Sequence, residues 1–173
     1  MEQVFVINGN GGVGKDTFVN LVEEELNKHK VLTLNYSSVA KVKKIAEFIG
    51  WDGKKTERNR KFLSDLKLLT TEYNNMPFND MKVTVEEFYN FAPSNDKVVF
   101  LHIREPEEIE KIVKAFNAKT ILIRRDSVKH IVSNMADENV YNYDYDIIID
   151  NNEGIEELKV KAVNLANDLL KNK

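Results

Sequence analysis

Hydrophobic positions along the chain fall into two alternating rhythms. Short apolar runs at Val4–Ile7, Val31–Leu34, Val98–Ile103, Thr120–Ile123 and Ile147–Ile149 are rich in Val, Ile, Phe and Leu. Runs of this length without polar alternation predict strands buried on both faces, as in a parallel sheet. Between them the spacing becomes helical. After Gly14, Phe18, Val19, Val22 and Leu26 share a face, and after Pro106 so do Ile109, Ile112, Val113 and Phe116. The C-terminal stretch repeats the pattern with Ile155, Leu158, Ala162, Leu165 and Leu169, and Asn151 or Asn152 is placed to cap its start. Strands alternating with amphipathic helices predict an α/β layered fold.

The interval from Ser37 to Lys97 breaks this rhythm. It holds no convincing strand, and its spacing predicts helices over Val39–Phe48 and Arg58–Tyr73, the second with Phe62, Leu66, Leu69 and Tyr73 on one side. Asn74-Asn75-Met76-Pro77 stops that helix. A shorter helix over Val85–Phe91 follows before Pro93-Ser94-Asn95 turns into the third strand. The interval therefore reads as a helical insertion on the sheet, about 37–97. Its aromatics, Phe48, Trp51, Tyr73, Phe78, Phe88, Tyr89 and Phe91, are either the core of the inserted helices or the wall of a pocket. Helical spacing favours core.

Composition narrows the class. A chain of 173 residues is one domain by length, and burying roughly 70% of its unfolded surface gives it a full core. With 31% charged residues and a net charge of −3, it has no global attraction to nucleic acid or to an anionic membrane, so any basic site is local. The absence of cysteine removes disulfides and thiolate metal sites and suits a reducing cytoplasm. Met1 to Ile7 carries an acid and too short an apolar run for a signal peptide or a membrane span. A cytoplasmic protein is the expectation, monomer and homodimer both remaining open.

The strongest local signal is Gly9-Asn10-Gly11-Gly12-Val13-Gly14-Lys15-Asp16-Thr17, lying between a strand and an amphipathic helix. Four of the chain's seven glycines fall between Gly9 and Gly14, and that spacing with the lysine is the P-loop, or Walker A, pattern. Phosphate oxygens must be met by converging backbone N–H groups, which side chains would obstruct. The helix N-terminus adds partial positive charge and Lys15 a full one. Asp16 stands where Ser or Thr normally ligates magnesium, with Thr17 next to it. Asp16 either reaches Mg2+, directly or through water, or orients an acceptor, or simply favours the helix N-terminus as an anion.

Gly14-Lys15-Asp16-Thr17 resembles the loop of the nucleoside monophosphate kinase branch of P-loop proteins, within it the deoxynucleoside monophosphate kinases of bacteriophages, and phosphomevalonate kinase has a similar form. Further segments match in order. Ser38-Val39-Ala40-Lys41-Val42-Lys43 resembles the segment ending in a lysine that faces the acceptor, and Arg60-Lys61-Phe62-Leu63-Ser64-Asp65-Leu66 the arginine-led helix of the acceptor lobe. Ile103-Arg104-Glu105-Pro106-Glu107-Glu108 resembles the arginine segment after the third strand. Tyr145 to Gly154 is similar to the closing strand and Asn-Gly turn, which commonly lies beside the donor's base and implicates Asn151. The resemblance touches nearly the whole chain and implies one P-loop kinase domain over 1–173, with strand order 2-3-1-4-5, ATP and Mg2+, and a nucleotide acceptor.

Joining two phosphate anions requires cations beyond Lys15. Arg104, Arg124 and Arg125 follow the third and fourth strands, and in a parallel sheet the carboxyl edge is the usual ligand crevice. Arg104 is assigned to the acceptor phosphate, with Ser37, Lys43 and Arg60 as helpers from the insertion, and Arg124 and Arg125 to the transferring group. Against this, Lys43 and Arg60 also fit solvated helix faces, and Arg104 a surface ion pair with Glu105 or Glu108. Asp126 to Tyr145 leaves room only for a short lid, about 124–145. His29 reads as surface. His102 replaces the acidic residue that often ends the third strand in related kinases, and it reads either as crevice residue or as buried imidazole, while His130 has no metal-ligand spacing. Two other functions stay open: a kinase for another small phosphorylated metabolite, such as phosphomevalonate, and a nucleotide-binding regulatory module. Against the latter, the chain has neither Asn-Lys-x-Asp nor an Asp-x-x-Gly segment ending the third strand.

Overall fold

The computed structural model describes residues 1–128 and 139–171. Five strands, β1 (Glu2–Asn8), β2 (Leu32–Ser37), β3 (Lys97–His102), β4 (Lys119–Arg124) and β5 (Ile147–Asp150), form one sheet. Every pairing is parallel and the order is β2-β3-β1-β4-β5. This is the predicted α/β three-layer, P-loop kinase-like fold. Central β1 pairs Phe5 with Phe100 of β3 on one side and Lys119 of β4 on the other. Flanked on both sides and covered on both faces, β1 and β3 need the unbroken apolar runs seen in the sequence.

Six α-helices lie among the described residues: α1 (Lys15–Lys28), α2 (Ala40–Phe48), α3 (Glu57–Asn74), α4 (Met76–Asn90), α5 (Pro106–Phe116) and α6 (Ile155–Lys171). On one face Phe5, Ile7 and Phe100 form a core with Phe18 and Val22 of α1 and Leu158 and Ala162 of α6. On the other, Val4, Val6 and Leu101 meet Met81 and Val85 of α4 and Ile109 and Ile112 of α5. Strand alternation sends successive residues to opposite layers. No helix among the described residues is long and apolar enough to cross a membrane.

Several expectations are corrected. β2 runs three residues beyond Leu34, because register with β3 carries Asn35, Tyr36 and Ser37 to partners Phe100, Leu101 and His102. It is an edge strand, where polar residues on a partly open face are tolerated. The third inserted helix starts at Met76 rather than Val85. Asn75, at φ 52°, ends α3 and begins α4, so Pro77 sits in the first turn, where its missing N–H costs no hydrogen bond. Neither Asn151 nor Asn152 caps α6. Asn151 Nδ2 donates to the Val13 carbonyl, and Asn152 is engaged with Asp126. Within the insertion, Phe48, Tyr73 and Phe91 are exposed, whereas Phe78, Phe88 and Tyr89 pack against the core. Leu69 and Tyr73 do not join a core, and the buried residue of α3 is Lys67.

Candidate functional site

β1 ends at Asn8 in the middle of the sheet, and the chain must then turn sharply to begin α1. Two glycines make that turn possible. A Cβ on Gly9, at φ 142°, would lie 2.2 Å from the Ile123 carbonyl oxygen, and one on Gly14, at φ 99°, 2.5 Å from Asn151 Nδ2. Both positions therefore need glycine for close packing and left-handed backbone. Gly11 and Gly12 differ in space, since a Cβ on either would meet nothing within 4 Å, although Gly12, at φ 83°, shares the left-handed backbone. The loop is clamped at its ends and open at its crown. Lys15 spans the mouth, its ammonium donating to the Gly9 carbonyl at 2.6 Å and the Asn10 carbonyl at 2.8 Å.

The base of the loop is fixed by a polar chain. Asn8 Oδ1 accepts from Gly9 N at 2.7 Å. Asn8 Nδ2 donates to the Tyr145 hydroxyl at 2.7 Å and to the Arg104 carbonyl at 3.2 Å. The Tyr145 hydroxyl in turn donates to the Val140 carbonyl at 2.7 Å. Burial pushes its pKa up to about 12, so the hydroxyl keeps its proton and this donation across the neutral range. Asn10 Nδ2 donates to the Tyr141 hydroxyl at 3.3 Å, and buried Asn151 holds the Val13 carbonyl at 2.8 Å.

The predicted residues divide into groups. Gly9 to Thr17, Asn151 and the backbone of Arg104 gather around the carboxyl end of β1. Asp16 and Thr17 lie exposed in the first turn of α1, and Asp16 Oδ1 is 3.9 Å from His102 Nδ1. The His102 side chain is only 15% exposed. Burial lowers its pKa, opposed by Asp16 and assisted by Lys15, so it stands as a neutral imidazole at pH 7. Ser37 ends β2 beside His102, and its hydroxyl accepts from Val39 N at 3.4 Å. Lys43 and Arg60 are exposed on α2 and α3. Arg125 is exposed, and the Arg124 guanidinium donates to both carboxylate oxygens of Asp150, its register partner on β5. His29 is exposed, while His130 and the middle of the expected lid, 129–138, lie outside the described residues.

Sequence reasoning missed Lys67. Its side chain leaves α3 toward the carboxyl edge of the sheet, where Nζ donates to Ser38 Oγ at 3.0 Å and Glu105 Oε2 at 2.5 Å. The residue is 8% exposed, so an ammonium stands at the crevice with little water to screen it. Nothing in the run Leu66-Lys67-Leu68-Leu69 distinguishes this lysine from solvated ones; only the packing of α3 against α2 and α4, which carries Lys67 to Ser38 and Glu105 beyond the ends of β2 and β3, does. The acids once paired with Arg104 as alternatives go elsewhere: Glu105 takes Lys67, and Glu108 takes Lys111 at 2.7 Å.

The arrangement suits a phosphate chain. An exposed glycine crown at Gly11 and Gly12, a helix N-terminus and a lysine are the groups a polyphosphate needs. Among the described residues no cluster of three or more His, Asp or Glu side chains is placed to hold a metal ion. Asp16 and Thr17 nevertheless fit Mg2+, which takes one or two protein oxygens and fills its octahedron with phosphate oxygens and water.

No protein-family model matches the chain, and no curated protein matches its sequence. Its fold is similar to that of a solved protein from Chloroflexus aurantiacus J-10-fl described as a "putative kinase", with a TM-score of 0.51 and 10% identity, over 96% of this chain and 97% of that one. At that identity the likeness carries the fold alone.

Proposed function

We propose that this protein is a nucleoside or deoxynucleoside monophosphate kinase, transferring the γ-phosphoryl group of ATP to the phosphate of a monophosphate acceptor. The observation that carries the reading is the loop crown open at Gly11 and Gly12 with the Lys15 ammonium across its mouth. Backbone N–H groups from Gly11 to Lys15 would take the β- and γ-phosphate oxygens. Lys15 would exchange the Gly9 and Asn10 carbonyls for those oxygens, following charge as it moves to the leaving group. Asp16 and Thr17 are the residues that would hold Mg2+, which supplies charge neutralisation between the two outer phosphates.

On the acceptor side, Arg104, Lys67 and Ser38 line the ends of β2 and β3. The Arg104 guanidinium, with the Lys67 ammonium exchanging Glu105 for phosphate oxygens, would draw an acceptor phosphate toward the γ-phosphorus and offset repulsion between the two anions. An acceptor phosphate oxygen forms the new P–O bond as the bond to the β–γ bridging oxygen breaks. The bridging oxygen leaves on ADP, and the acceptor becomes a diphosphate. No general base is needed, because a phosphate dianion is already a competent nucleophile. The fold neighbour described as a kinase agrees with this at the level of phosphoryl transfer.

The test is a panel of nucleoside and deoxynucleoside monophosphates incubated with ATP and magnesium, with products separated by chromatography. At least one is expected to give its diphosphate, and Lys15→Ala is expected to lower turnover by several orders of magnitude. Absence of diphosphate from every acceptor rejects the proposal, and extending the panel to phosphorylated metabolites then separates a different acceptor from an inactive protein.

A further inference from the structure

Helix α3 carries an apolar stripe that the described chain leaves uncovered at one end. Phe62, Leu66, Leu69 and Tyr73 follow one another at intervals of four, three and four residues, the 3.5-residue repeat of a helix-helix seam. Phe62 and Leu66 are half-buried, but Leu69 is 63% and Tyr73 85% exposed. Lys67, which points to the sheet, lies off this stripe by more than a quarter turn of the helix. An exposed seam of this spacing is unexpected on a helix whose only task is to pack on its neighbours α2 and α4.

We propose that the stripe is the contact between two copies of this chain, packed with their α3 helices antiparallel about a twofold axis. The spacing is palindromic. An axis passing midway between Lys67 and Leu68 sets Phe62 opposite Tyr73 of the second copy and Leu66 opposite its Leu69. The same patch thus meets itself, which is the requirement of a closed isologous pair. Paired rings at the two ends and leucines at the centre give the aromatic and aliphatic content of such contacts.

Charge selects the antiparallel arrangement. The first five residues of α3, Glu57 to Lys61, carry Arg58, Arg60 and Lys61 against one acid, while the last five, Thr70 to Asn74, carry Glu72 and no cation. Antiparallel packing lays the cationic start of each helix along the acidic end of the other, with opposed helix dipoles. Parallel packing would align like charge with like.

Sedimentation of the full chain from low to high micromolar concentration tests the proposal. A species of twice 20.0 kDa is expected to grow with concentration. Leu69→Glu combined with Tyr73→Glu is expected to leave a monomer with unchanged helical signal, since both side chains are exposed in the protomer. Because the chain has no cysteine, geometry is readable by single thiols. A mixture of Phe62→Cys and Tyr73→Cys should cross-link with a short bis-maleimide at least several-fold faster than either variant alone. A wild-type monomer throughout, a dimer that survives the two glutamates, or faster cross-linking within each variant alone would each overturn it.

Discussion

Lys67 and His102 share one property, an ionisable group at the crevice with most of its water removed, and they differ in their partners. The Lys67 ammonium is compensated by Glu105 and Ser38. The His102 imidazole has Asp16 only at 3.9 Å and is pushed toward neutrality by burial. Hydrogen bonds to charged groups contribute about 1.5–3 kcal/mol. Lys67→Met should therefore raise the acceptor KM by roughly tenfold to a hundredfold while leaving ATP affinity within about twofold. Steady-state kinetics with each substrate varied in turn would show this, and an unchanged acceptor KM would remove Lys67 from the acceptor site.

The lowered His102 pKa has a definite sign in stability. The unfolded chain takes up a proton at the ordinary histidine value, about 6.5, while the folded chain resists it. Stability is thus whole above that pH and declines as pH falls toward the lowered folded value, where the decline stops. Denaturant melts across that window should slope downward with acidity in the wild type. The slope should be reduced in His102→Gln, whose amide cannot titrate; equal slopes would assign the effect to other groups.

Among the elements, the loop between β1 and α1 is where backbone demands are strictest. Asn151 closes it from β5 by satisfying the Val13 carbonyl, and Gly14 lets the two approach. Asn151→Ala leaves a buried acceptor unpaired at a cost of about 1–3 kcal/mol. For a chain of this size each kcal/mol lowers Tm by about 2–4 °C, a shift readable by calorimetry. Gly9→Ala should be worse than Gly11→Ala in the same measurement, because the first drives a methyl into the Ile123 carbonyl and the second meets open space. Equal losses would mean that the loop is not clamped as described. Gly11→Ala should instead show its effect on nucleotide affinity, where the methyl would occupy the space proposed for phosphate oxygens.

At the scale of the whole molecule, the sheet order puts both neighbours of β1 at the loop, so the residues proposed for donor and acceptor arrive from opposite sides of one strand end. A ligand bound only by the folded chain stabilises it by RT ln(1 + [L]/Kd), about 2.7 kcal/mol at a hundredfold excess over Kd. ATP with magnesium should accordingly raise Tm by several degrees, and Lys15→Ala should abolish most of the shift. A wild-type protein indifferent to every nucleotide would undo the functional reading.

Much of this was legible beforehand because it is written in local signals. Apolar runs of four to six residues mark central strands, a change of period marks helices, and glycine clustering before a lysine marks a phosphate-binding turn. The edge strand reads short in the sequence because Asn35, Tyr36 and Ser37 carry no apolar signal; pairing with β3 extends it. The start of α4 reads late in the sequence because Pro77 looks like a stop, and it becomes a start only when Asn75 turns left-handed.

Periodicity and backbone chemistry alone therefore determined the layers, the central strands and the loop, since each depends on residues near one another in the chain. Only the tertiary structure decided that a lysine flanked by leucines reaches the crevice, that Asn151 props the loop instead of capping α6, and that the α3 seam stays exposed. Those outcomes depend on where distant segments cross, and a side chain's partners, burial and charge are properties of the crossing.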